Sequence, residues 1–129
     1  MILAVRTDKP EAELYLLDAN GEHVAQDSWE AHRQLAATLV ERVRSFLGAN
    51  DVEISRLTGI IVYTGAGSFT GLRIGTTVAN ALAYAHSLPI TSGQGESWMI
   101  DGLKKLANTK PGTYVVPTYD KEPNITKPN

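Results

Sequence analysis

The sequence has 129 residues, a formal net charge of −2 and no cysteine. That length suits one domain, 43% hydrophobic residues are enough for a packed core, and the charge balance offers no broad basic surface for nucleic acid. Without cysteine there is no disulfide or thiolate metal site, and no apolar run is long enough for a signal-peptide core or a membrane helix, so a cytoplasmic protein without membrane contact is expected.

In chain order, Ile2 to Thr7 reads as a central apolar strand and Glu13 to Asp18 as a second strand. Asn20-Gly21 is a hairpin signal because both residues tolerate positive φ. Glu22 to Trp29 returns as a third strand. A first helix is expected over Trp29 to Leu47, where Leu35, Leu39, Val43 and Leu47 recur at i+4 beside Val40 and Phe46. Gly48 is placed to end it. Leu57 to Thr64 reads as a fourth strand, and the proline-free, alanine-rich run Leu72 to His86 as a second helix. Ile90 to Ser92 is a short fifth strand. Glu96 to Ala107 is a third helix packing through Trp98, Leu103 and Leu106. Pro111-Gly112 is a turn, and Thr113 to Pro117 reads as a last short strand. One domain over residues 1–117 and a polar tail over 118–129 follow.

Between the fourth strand and the second helix runs Gly65-Ala-Gly-Ser-Phe-Thr-Gly-Leu-Arg-Ile-Gly75. Gly65 and Gly67 can adopt backbone angles closed to other residues. Ser68 or Thr70 can cap the helix by accepting a bond from a free N–H. Two functions fit such a turn. Free N–H groups at a helix start can cradle phosphate, or the turn can pack a helix closely on its strand. The Walker pattern fails, because Leu72-Arg73 stands where Lys-Ser/Thr belongs, and the G-x-G-x-x-G pattern has Thr70 at its third glycine. Close packing is preferred.

The same eleven residues resemble the G-P-G-S-F-T-G-L-R-I-G signature of the TsaB (YeaZ) family, with Ala66 as the one departure. The resemblance implies an α/β, actin-like, RNase H-like domain. Its five-stranded mixed sheet would be an antiparallel meander followed by parallel strands, with flanking helices. It also implies a non-catalytic partner subunit of TsaD, the threonylcarbamoyltransferase that modifies an adenosine beside the tRNA anticodon. Partners would be a TsaD-type subunit, a TsaE-type ATPase and, when alone, a second copy, with tRNA met indirectly. Family members usually carry two domains. The resemblance covers the first, to about Ala107, so a single-domain variant is expected. Pro117-Thr-Tyr-Asp-Lys-Glu-Pro123 further resembles the terminal P-x-Y-x-R peptide of longer members.

Candidate chemistry is sparse, and neither a cofactor nor a metal is expected. His23, His32 and His86 match no zinc spacing. Ser68, with His86 and Asp101 as helpers, fails the G-x-S-x-G elbow because Thr70 replaces its second glycine. The resembled family often reads I-D-T-S on its first strand, and Arg6 stands at that aspartate. A cation there repels magnesium. Asp8 lies on the same strand face two residues on, either rescuing the site or pairing with Arg6 on the surface; the pair is preferred. An actin-like ATP-dependent enzyme or a glycoprotease-like peptidase is therefore the alternative, and a self-associating remnant without TsaD contact is another.

The family resemblance places the partner face on the exposed sides of the first two helices. The residues expected there are His32, Leu35, Leu39, Arg73, Thr76, Thr77, Asn80 and Tyr84, with small residues along the second helix allowing close approach. The signature turn itself comprises Gly65, Gly67, Ser68, Phe69, Thr70, Gly71, Arg73 and Gly75.

Overall fold

Leu3 and Val5 point to one face of a sheet and Ile2 and Ala4 to the other, and all four are buried. A strand buried on both faces belongs at the centre of a sheet covered on both sides. The computed structural model describes residues 1–117. In order, its elements are β1 (Ile2–Arg6), β2 (Glu11–Leu17), β3 (His23–Glu30), α1 (Leu35–Ala49), β4 (Gly59–Gly65), α2 (Phe69–Ala85), β5 (Ile90–Gln94) and α3 (Trp98–Leu106). The five strands form one sheet in the order β3-β2-β1-β4-β5. The meander β1-β2-β3 is antiparallel, and β1-β4-β5 is parallel. The expected mixed α/β sheet is present.

Three layers result. α1 and α2 cover one face through Leu35, Leu39, Val43, Phe46, Leu47, Ala79 and Ala83, which meet Leu3, Val5, Leu14, Leu16, Ile60 and Val62. α3 lies on the other face, where Trp98 packs with Ile2, Ala4, Ile61 and Tyr63. Leu103 and Leu106 pack against that cluster, as their spacing predicts.

The first hairpin closes through Asp18. Its carboxylate accepts from the N–H groups of Asn20 and Glu22 at 2.9 and 3.0 Å. Gly21 takes φ 84° and donates to Asp18 O at 3.0 Å. Asn20 does not take a positive φ, so only the glycine of the Asn-Gly signal uses that freedom. The turn is the looser, bulged kind.

Element boundaries shift in places. Trp29 is a strand residue opposite Ala12, because the alternating half-burial of Ala25, Asp27 and Trp29 carries β3 to Glu30. A 3-10 turn, His32–Gln34, then precedes α1. β4 starts at Gly59 rather than Leu57, after a second 3-10 turn at Ile54–Arg56. Gly48 lies inside α1, which ends with Asn50 as its cap and Asp51 at φ 58°. α2 begins at Phe69, three residues before Leu72, because Ser68 caps it. Residues 113–117 form no strand. The tail over 118–129, and with it most of the peptide resembling P-x-Y-x-R, lies outside the described residues.

Candidate functional site

The signature turn is built around the end of β1. On α2, Gly71 and Gly75 are one helical turn apart and both face Thr7. A Cβ at Gly71 would strike the Thr7 carbonyl oxygen, and one at Gly75 the Thr7 hydroxyl. Thr7 Oγ1 donates to Gly71 O at 2.8 Å, fastening helix to strand. Ser68 N–H donates to Asp8 O at 3.2 Å, and Ser68 Oγ accepts from Gly71 N–H at 3.4 Å. A Cβ at Gly67 would overlap the Asp8 side chain. Gly65 closes β4 and does not take positive φ. The turn thus packs α2 closely on the residues that follow β1.

Arg6 and Asp8 form a two-pronged ion pair. Arg6 Nε donates to Asp8 Oδ1 at 2.7 Å, and its second guanidinium nitrogen to Oδ2 at 3.2 Å. The pair is not a surface pair: Asp8 is only 9% exposed, and the Arg6 guanidinium also lies 4.1 Å from the Tyr63 ring centroid. The hydrogen bond to Asp8 outweighs burial and raises the Arg6 pKa further above its ordinary value. Both Asp8 oxygens are engaged by the Arg6 guanidinium. Nearby, the Tyr15 hydroxyl donates to Glu13 Oε1 at 2.7 Å. Burial first, and that bond second, push the Tyr15 pKa up to about 12. Among the described residues, no group of three or more His, Asp or Glu side chains is placed to hold a metal ion.

Ser68 and His86 flank opposite ends of α2, about 25 Å apart at 1.5 Å per residue. Asp101 sits on α3, across the sheet. No hydrolytic triad forms from these three.

The partner-face residues divide. Leu35 and Leu39 are buried against the sheet and belong to the core. The i+4 stripe that predicts α1 is the stripe that covers the sheet, so it is not left over for a seam. Thr76 is also buried, and its hydroxyl donates to Leu72 O at 2.7 Å. The small residues Gly75, Ala79 and Ala83 face inward too; they admit the sheet rather than a second helix. Arg73, Thr77 and Tyr84 remain exposed on α2, Asn80 is half-buried between Thr77 and Tyr84, and His32 is exposed before α1. Tyr84 is 87% exposed. His32 takes φ 45° and pairs with Glu30 at 2.7 Å. Phe69, 49% exposed, lies under the Arg73 guanidinium at 5.5 Å. A groove of about 370 Å³ runs between α1 and α2, with Ala36, Ile74 and Val78 as its apolar lining and Phe69, Thr70, Arg73 and Thr77 beside them. Sequence reasoning missed the tie between Asn80 and Val115, whose bonds span 35 residues. No local spacing signals it.

Two solved structures share this architecture. YeaZ from Pseudomonas aeruginosa superposes with TM-score 0.65 at 29% identity, over 72% of this chain and 43% of that one. A second Pseudomonas aeruginosa structure, described as an uncharacterized protein with similarity to peptidase YeaZ, gives TM-score 0.66 at 29% identity, over 72% and 42%. The tRNA threonylcarbamoyladenosine biosynthesis protein TsaB of Bacillus subtilis (strain 168) is 42% identical over 50 residues, which is 39% of this chain and 22% of that protein. In sequence and in fold the chain is similar to proteins of the TsaB/YeaZ family. Its sheet and flanking helices are the family's actin-like, RNase H-like fold. A sequence-family model described as TsaD, tRNA N6-adenosine threonylcarbamoyltransferase, also matches residues 29–92. That match spans α1, the signature turn and α2. The chain spans less than half the length of these YeaZ and TsaB relatives.

Proposed function

We propose that this chain acts in threonylcarbamoyladenosine modification of tRNA as a non-catalytic partner of a TsaD-type subunit. Similarity to TsaB and YeaZ proteins supports the pathway. The carrying observation for the role is the outer face of α2, where Arg73, Thr77, Asn80 and Tyr84 form a stripe pointing away from the sheet. His32 and the apolar groove between α1 and α2 extend the same face. The engaged Arg6–Asp8 pair supports a supporting rather than a catalytic role. A TsaE-type ATPase and tRNA would be met through TsaD, and a second copy would use this face when TsaD is absent. Residues 1–117 serve as the family's first domain.

Thr77→Arg tests the face. An unpaired charge in a desolvated interface costs on the order of 2–5 kcal/mol. The Kd for a purified TsaD-type subunit is expected to rise at least about 30-fold, with circular dichroism and melting temperature near wild type. Lys104→Glu, on the opposite layer, should leave the Kd unchanged. Normal folding with unchanged affinity in Thr77→Arg would place the partner elsewhere.

A further inference from the structure

Residues 113–117 adopt no regular structure, yet they are fastened to α2 by one side chain. Asn80 Nδ2 donates to Val115 O at 2.8 Å, and Asn80 Oδ1 accepts from Val115 N–H at 3.0 Å. The amide pairs with both backbone groups of one residue, as a neighbouring strand would. Val115 is half-buried against the core on the α1/α2 side. Tyr114 and Val116, on either side of it, are 72% and 66% exposed. A crease of about 210 Å³ separates this segment from Arg73 and Thr77.

We propose that residues 113–117 are a removable strap over the α2 outer face, which must leave Asn80 before a partner can pack there. The proposal rests on that face being the partner's. The conflict is steric. Asn80 lies between Thr77 and Tyr84 on the stripe, at helical neighbour spacings on both sides. A helix packed along the stripe at the usual 8–10 Å axis separation would occupy the space through which the strap runs. The attachment suits a gate: one amide and one valine hold it, and its hydrogen-bonding groups find water when released, so opening costs little. A strap that is open about a tenth of the time weakens apparent partner affinity roughly tenfold.

The test uses the whole chain and variants that leave α2 untouched. Val115→Pro removes the N–H that Asn80 accepts, and Val115→Ser removes the packing. Each should tighten the Kd for a purified TsaD-type subunit, by up to roughly tenfold. In the wild-type chain, hydrogen exchange at the Val115 amide should speed up when that subunit is added. Unchanged or weaker binding by both variants would overturn the strap, as would a Val115 amide that becomes more protected in the complex; the segment would then be a permanent part of the surface. The exchange measurement needs no mutation, so it decides the matter even where a variant folds poorly. If Thr77→Arg binds like wild type, the face itself is misassigned, and the strap proposal falls with it. If Thr77→Arg loses binding while the strap variants change nothing, only the strap fails.

Discussion

At the level of single residues, one tight constraint among the described residues is the contact of Gly71 with Thr7. A methyl group there meets a backbone carbonyl, which cannot swing aside as a long side chain can. Overpacking of this kind costs typically 1–3 kcal/mol. Gly71→Ala should therefore lower unfolding free energy by about 2–3 kcal/mol in denaturant titration, the upper part of that range because β1 and α2 must separate. An unchanged midpoint would mean that α2 slides freely along β1. Tyr15 carries a second prediction. Its folded pKa, about 12, lies above the ordinary value of 10.0. A raised pKa means the folded state holds the phenol proton more tightly, so the contribution to stability is complete below pH 10 and is lost as pH rises through about 12. Wild type should lose stability relative to Tyr15→Phe across that window, and one phenolate should appear late in an ultraviolet titration. Equal pH dependence in the two proteins would show that the burial and the bond to Glu13 do not hold in solution.

At the level of elements, both long helices stop in the same way. Val52 N–H returns to Leu47 O at 2.9 Å and Leu88 N–H to Ala83 O at 2.8 Å, with Asp51 N–H and Ser87 N–H reaching Gly48 O and Tyr84 O. This is the six-to-one and five-to-two closure that glycine ordinarily serves. Here Asp51 and Ser87 take the left-handed turn, at φ 58° and 53°. Side chains other than glycine are strained there, serine more than aspartate. Ser87→Gly should stabilise the fold by up to about 1 kcal/mol, read as a higher melting temperature. A fall would mean that the Ser87 side chain makes a contact worth more than the strain. These stops also show why element ends were hard to read. Gly48 looked like the terminator of α1 because glycine is the usual one, but the chain turned left-handed three residues later, at Asp51. The start of α2 was obscured likewise. Phe69-Thr70-Gly71 reads as loop by propensity, and only the Ser68 cap and the Thr7 contact make it helix.

In the molecule as a whole, the sheet was legible because Ile2 to Val5 and Ile60 to Val62 are continuous apolar runs, which only a doubly covered strand needs. The signature turn was legible as close packing because the Walker and G-x-G-x-x-G patterns fail there, whereas the use of Gly71 and Gly75 against Thr7 was not. The outer face was not fully legible. Apolar periodicity identifies a helix and its buried side with one signal, so Leu35 and Leu39 went to the core once the sheet claimed them. Thr76 looked available as a polar residue, but its hydroxyl satisfies itself on Leu72 O within the helix and needs no solvent. What marks a face as outer is the partner it lacks, and that is a property of the assembled layers.

The place of β1 in the sheet bears on how the protein is made. Of these elements β1 is synthesised first, and its pairing with β2 (Leu3 opposite Leu16) is available almost at once. Its other edge pairs with β4, Leu3 beside Ile60, and must wait until α1 and the following loop have been translated. Throughout that interval the nascent chain carries an apolar edge strand with unpaired N–H and C=O groups, the kind that recruits strands from other chains. The antiparallel meander is thus a half-finished sheet with a sticky side, and the parallel strands that complete it also protect it.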